Sequence, residues 1–160
     1  MKKKIFNLLP LIFLIFAHGC GFKPSLTSSS HTFSLQVESK TGNERINSII
    51  ENQIKIIKGI QRSFQVSLNS IETRNIVSKD SKGDPAILEL KIKLNYKLSE
   101  NGKVLVNRTV TEKSTYNNIS DKFEFSKSEE ILRNNLVKSF VSDIINSASN
   151  LMQNQMINDN

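Results

Sequence analysis

The chain holds one cysteine, Cys20, directly after Ala17-His18-Gly19. Small residues at positions 17 and 19 suit a signal-peptidase pocket, and a thiol in that place accepts an S-diacylglycerol before cleavage and an N-acyl group after it. Other groups able to do chemistry are sparse. His31 is the only histidine beyond Cys20, and Asp80 and Asp84 share a polar, turn-forming stretch. Neither metal-ligand spacing nor a Gly-rich phosphate loop occurs, so no cofactor, no metal and no enzymatic activity are expected.

The residues before Cys20 explain how it would meet a lipid. Lys2, Lys3 and Lys4 precede an apolar run from Ile5 to Phe16. This is the pattern of a secretory signal peptide, and it is shorter than the roughly 20 residues that span a bilayer. Residues 1–19 are therefore expected to be cleaved, as the bacterial lipoprotein pathway requires. Residues 20–31 then form a lipidated N-terminus and tether, with Lys23-Pro24-Ser25 and Thr27-Ser28-Ser29-Ser30 offering nothing to pack. Residues 32–156 are expected to form a single domain. Removing Lys2–Lys4 from the 22 basic residues leaves 19 against 15 acidic ones, a net charge of +4. Without an Arg-rich stripe or aromatic stacking motif, that modest surplus points away from nucleic acid and toward phosphorylated lipids or an anionic membrane.

Periodicity supplies the elements. Phe33, Leu35 and Val37 alternate with polar residues over Thr32–Ser39, which predicts a half-buried strand. Gly42 breaks it, Asn43 can cap a helix carrying Ile46, Ile49, Ile50, Ile54 and Ile57, and Gly59 is placed to end that helix. Phe64, Val66 and Leu68 mark a second strand, followed by a solvated loop through Ser78–Pro85. From Leu88 to Leu98 the alternation is unbroken, and Glu100-Asn101-Gly102 turns the chain into a partner strand over Val104–Tyr116.

Hydrophobic parity chooses the hairpin register. A two-residue Asn-Gly loop would oppose Tyr96 to Asn107 and expose Val104, Val106 and Val110. A three-residue loop with Gly102 left-handed opposes Leu98 to Val104, Tyr96 to Val106 and Ile92 to Val110, and is preferred. It also sets Arg108 opposite Leu94 on the apolar side. Ser126 and Glu129 make a capping box for a last helix whose stripe is Leu132, Leu136, Phe140, Ile144, Ala148 and Met152. The expected fold is α+β: a two-layer sandwich, order β-α-β-β-β-α, with a four-stranded, mostly antiparallel sheet and both helices on one face. The other face is expected to be polar and open.

A cysteine followed by Gly21-Phe22-Lys23-Pro24 and then this order of elements resembles the alphaproteobacterial type of the LPS-assembly lipoprotein LptE family. Ser25 and Leu26 stand where an aromatic residue often follows that opening. The resemblance implies a lipid-anchored protein on the periplasmic face of the outer membrane. It would plug an LptD-like β-barrel and assist assembly of lipopolysaccharide into the outer leaflet. Gly21 rather than Asp after the cysteine fits sorting to the outer membrane. Lipopolysaccharide presents clustered phosphates, so Lys91, Lys93, Lys97, Arg108 and Lys113 on the long hairpin are the candidate contacts. A polar sheet face suits a water-lined barrel lumen. The rival is an accessory of another envelope system, a lipid-transport complex or a peptidoglycan-synthase activator. An activator must cross much of the periplasm, whereas eleven tether residues, Gly21–His31, reach about 40 Å.

Overall fold

The computed structural model describes residues 31–158. The signal peptide and most of the tether, Cys20 included, lie outside them. The order is β1 (Phe33–Gly42), α1 (Glu44–Ile54), β2 (Arg62–Lys79), β3 (Pro85–Glu100), β4 (Lys103–Asn117) and α2 (Lys122–Asn158). The sheet has sequential strand order β1-β2-β3-β4; β1 and β2 are parallel because α1 crosses between them, and the other pairs are antiparallel. This is the expected α+β architecture, with a mixed sheet.

One parity governs the inner face. Val66 and Leu68 of β2 stand level with Leu98 and Tyr96 of β3, and these four, with Phe64 of β2, are buried. Leu90, Ile92, Leu94, Tyr96 and Leu98 are fully buried, so β3 supplies the floor of the core. Onto it α1 lays Ile46, Ile50 and Ile54, and α2 lays Leu136, Phe140, Ile144, Ala148 and Met152, the four-residue stripe read from the sequence. Each such side chain contributes about 1.5–3 kcal/mol by leaving water.

The corner between β1 and α1 is a buried polar knot. Asn43 caps the helix, its Oδ1 accepting from the Ile46 amide at 3.0 Å, as expected. The Asn43 amide donates to Ser70 O (2.8 Å), Ser70 Oγ reaches Asn47 Oδ1 (2.8 Å), and Asn47 Nδ2 donates to Thr41 O (2.8 Å). Gly42, at φ +83°, makes that turn possible, and a Cβ there would lie 2.0 Å from Ser70 O.

Several local expectations are corrected. Helix α1 stops at Ile54 rather than at Gly59; Gly59 instead lies against the start of β1, where a Cβ would meet the Phe33 amide at 2.2 Å. Strand β2 runs on to Lys79, because Glu72 and Arg74 continue its inner face as charged rather than apolar residues. Helix α2 begins at Lys122, before the proposed Ser126 box: Asp121 Oδ1 accepts from the Phe123 and Glu124 amides at 2.9 and 3.1 Å. Neither hairpin register holds throughout. Asn101 and Gly102 are both left-handed, making a two-residue turn with Glu100 opposite Lys103, and a bulge at Leu105 then shifts the pairing. Beyond it Leu98 faces Val106, Tyr96 faces Arg108 and Leu94 faces Val110. The turn keeps its Asn-Gly geometry, and the bulge returns Val106 and Val110 to the inner side.

Glu129 is the residue that locks α2 to the charged part of β2. Arg133 holds both Glu72 oxygens through its Nε and Nη2 (2.7 and 2.9 Å) and Nη2 also reaches Glu129 at 2.7 Å, while Arg74 takes the other Glu129 oxygen at 2.5 Å. Tyr116 donates to the same oxygen at 3.3 Å. Two cations and two anions thus neutralise one another, with Arg133 and Glu129 buried. Burial alone would push the Glu129 carboxyl up, but the hydrogen bond from Arg74 and the two positive charges outweigh it and hold the group below its usual value.

Two predictions follow from this packing. Both Gly42 and Gly83 are left-handed, but a Cβ on Gly83 meets open space. Gly83→Ala should cost about 1 kcal/mol, and Gly42→Ala more than about 3 kcal/mol, in urea unfolding. Equal losses would mean that the corner relaxes freely. Glu129→Gln should cost about 3 kcal/mol at neutral pH, because it strips Arg74 of its anion and leaves buried Arg133 with Glu72 alone. A depressed carboxyl stabilises fully above its unfolded value and loses that contribution as pH falls through the folded one. The gap between variant and wild type should therefore shrink as pH falls below the usual carboxylate range. A gap unchanged with pH would show that the carboxylate charge contributes nothing.

Candidate functional site

The same parity that sends every second residue of β3 inward sends Glu89, Lys91, Lys93, Asn95 and Lys97 outward. Across the β4 register, Lys113 stands opposite Lys91, Thr111 opposite Lys93, Thr109 opposite Asn95 and Asn107 opposite Lys97. On the other flank β2 contributes Ser67, Asn69, Ile71 and Thr73 at the same levels. Among the described residues no helix covers this side. The result is an open face of hydroxyls, amides and lysines in which Glu89, toward the start of β3, is the one carboxylate among these residues.

That carboxylate does not neutralise the face. Glu89 receives Lys113 at 3.3 Å and a hydrogen bond from Asn75 Nδ2 at 3.3 Å. The Asn75 bond, and then Lys113, hold its carboxyl below the ordinary value, so it is ionised throughout the neutral range. Lys91, Lys93 and Lys97 form no ion pair among the described residues. Lys91 and Lys113, directly opposite one another, repel in the free protein, and an anion placed between them would relieve that repulsion. Asn95 organises the centre: its Nδ2 lies 3.1 Å from Asn107 Oδ1, 3.2 Å from Arg108 O and 3.0 Å from Thr109 Oγ1. Beside it, Ser39, Thr41, Ser67, Asn69, Asn95 and Lys97 border a shallow depression of about 240 Å³.

Of the sequence-derived candidates, the fold brings Lys91, Lys93, Lys97 and Lys113 onto this one face and places Arg108 on the opposite one. Arg108 stands opposite Tyr96 rather than Leu94, and its guanidinium reaches Asp143 of α2 at 3.2 Å. Tyr96 donates to the same carboxylate at 2.7 Å and shares a 2.7 Å hydrogen bond with Ser147. Burial pushes the Tyr96 hydroxyl up to about 12, with the Asp143 carboxylate adding to the rise against the Ser147 bond. A cation on the apolar side thus has a structural partner in α2. Cys20 lies outside the described residues.

Sequence reasoning missed the Glu72–Arg133–Glu129–Arg74 chain. Its signal was nevertheless present, since Glu72 and Arg74 keep the even parity of Phe64, Val66 and Leu68, and Arg133 precedes Val137 by one helical turn. Among the described residues no group of histidines, cysteines and carboxylates is arranged to hold a metal ion, and no helix is long and apolar enough to cross a membrane.

No family model matches the chain, and no curated protein matches it. Solved structures do. Rare lipoprotein B from Shewanella oneidensis superposes with a TM-score of 0.56 at 13% identity, covering 76% of this chain and 99% of that one. An uncharacterized lipoprotein B from Nitrosomonas europaea gives 0.56 at 16% identity, covering 79% and 90%. A putative lipoprotein from Caulobacter crescentus gives 0.54 at 11% identity, covering 74% and 91%. At these identities what is shared is the fold, and this chain has the fold of those bacterial lipoproteins.

Proposed function

We propose that the protein is an outer-membrane lipoprotein, anchored through Cys20, that engages an LptD-like β-barrel and assists it in assembling lipopolysaccharide. The observation that carries this reading is the open sheet face, where Lys91, Lys93, Lys97 and Lys113 share a surface otherwise made of hydroxyls and amides. Such a surface suits two contacts at once. Phosphates on a sugar backbone take lysine charges and hydroxyl hydrogen bonds, and a water-lined barrel lumen takes a polar wall. The leader grammar before Cys20 supports the anchor, and the fold shared with solved bacterial lipoproteins agrees with an envelope setting. The domain would bind and position rather than transform its ligand.

The lipidated protein, purified from its own outer membranes in mild detergent, should bring a large β-barrel with it at equal stoichiometry. Recovery of a peptidoglycan synthase or an inner-membrane transporter, with no barrel, would sink the assignment. Changing Lys91, Lys93, Lys97 and Lys113 together to Gln should weaken lipopolysaccharide binding about tenfold or more, at roughly 0.2–1 kcal/mol per exposed charge contact. All four are exposed, so thermal unfolding should move little. Unchanged binding by a folded quadruple variant would remove this face from the proposal.

A further inference from the structure

The fold has two unlike ends. At one end β1 and β2 both begin, α1 finishes, the β3–β4 turn closes, and the C-terminal part of α2 arrives. These pieces are joined: the Gln61 amide donates to Thr32 O at 2.9 Å, Arg62 pairs with Glu100, and Arg62 also donates to Leu151 O at 3.3 Å. The chain that follows Cys20 enters the domain here, at His31.

This end carries apolar side chains where a water-facing loop has no use for them. In the α1–β2 connection, Lys55-Ile56-Ile57-Lys58-Gly59-Ile60, Ile57 turns into the core but Ile56 is 74% exposed and Ile60 is 99% exposed. Val104, just past the β3–β4 turn, is 52% exposed beside Lys103. Neither segment 55–61 nor segment 103–106 holds an acidic residue, and the nearby Glu100 is held by Arg62. The far end also exposes apolar groups, Phe123 among them, but mixes them with Asp80, Asp84, Asp121 and Glu124. Among the described residues, the end that receives the tether joins bare isoleucines to lysines, and its carboxylates Glu51 and Glu100 are paired with Lys40 and Arg62.

We infer that this end is a membrane-contact surface, with Ile56 and Ile60 dipping into the headgroup region of an anionic phospholipid leaflet while Lys55, Lys58 and Lys103 face its phosphates. The inference rests on lipid anchoring at Cys20 and is independent of the barrel. Eleven residues lie between Cys20 and Thr32, a reach of at most about 40 Å, so an anchored chain keeps this end within reach of the bilayer while the far end lies a strand length further from the attachment. Isoleucines flanked by lysines at a lipid interface gain from apolar burial and from attraction to anionic headgroups together.

The test uses the full lipidated protein in vesicles of phosphatidylethanolamine with phosphatidylglycerol. A thiol-reactive fluorophore is placed at Gln61→Cys, beside the two exposed isoleucines, or at Ser81→Cys at the opposite end; both positions are exposed. An acylated Cys20 takes no label, so labelling of the wild-type chain would show that the anchor reading, and this inference with it, has failed. With the anchor intact, the label at 61 should be quenched by nitroxide-bearing lipid and shielded from iodide, and the label at 81 should behave oppositely. Changing Ile56 and Ile60 together to Ser should cut the lipid quenching at 61 by about threefold or more, as should vesicles lacking phosphatidylglycerol. Equal iodide access at 61 and 81 in an anchored protein would overturn the inference and leave the lipoprotein reading standing.

Discussion

The structure depends on a single constraint: the alternation of β3. Its even-numbered residues from Leu90 to Leu98 are buried without exception, and its odd-numbered ones are polar. A strand of that kind in the middle of a sheet decides the sides for its neighbours. Strands β2 and β4 must match its parity on both flanks, and both helices must then lie on the apolar side, because the polar side has nothing to offer them. The open lysine face is therefore not a separate feature from the core. It is the other half of the same alternation, and a one-residue slip of β3 would destroy both.

Charges on the inner side show how far that constraint bends. Arg108, Glu72 and Arg74 all have inner parity, and each is met by a partner from α2: Asp143, Arg133 and Glu129. These pairs lie along the helix outside the aliphatic stripe, so the long helix carries a complementary charge for each of these three residues. Buried ion pairs offset their desolvation only partly, and their value here is in position. A stripe of Leu136, Phe140 and Ile144 could slide by a turn on an aliphatic floor; Arg133 gripping both oxygens of Glu72 cannot.

What could be read from the sequence follows the range of the physics involved. The strands, the Asn43 cap and the α2 stripe rest on contacts a few residues apart, and they were legible. The features that were missed required knowledge of what lies opposite. Asn101-Gly102 favours a two-residue turn, while Val106 and Val110 require the other parity, and the sequence does not say that a bulge at Leu105 satisfies both. Ser126 with Glu129 has the spacing of a capping box, yet Glu129 is taken by Arg74 and Arg133, and Asp121 caps the helix one turn earlier. Of the candidate contacts, four lysines followed from alternation alone. The separation of Arg108 from them also followed from parity, but its partner Asp143, 35 residues further on, did not.

The unequal lengths of the strands give the molecule its direction. Strand β1 pairs with β2 only from Arg62 to Ser70, since Gly42 and Asn43 turn the chain into α1 there, and β2 continues nine residues further with β3 as its only sheet partner. The half of the domain beside the tether is therefore thick, with β1, α1 and α2 all contributing, and the far half is a three-stranded blade backed by α2 alone. The thick half gives a stable base at the end where the chain enters, and the long hairpin carries Lys91, Lys93 and Lys113 away from it. In the blade Leu88, Leu90 and Ile92 of β3 form a buried apolar floor, and beside it the Glu72–Arg133–Glu129–Arg74 chain ties β2 to α2. The charges that look most out of place on the inner side thus fix the position of α2 behind the lysine face.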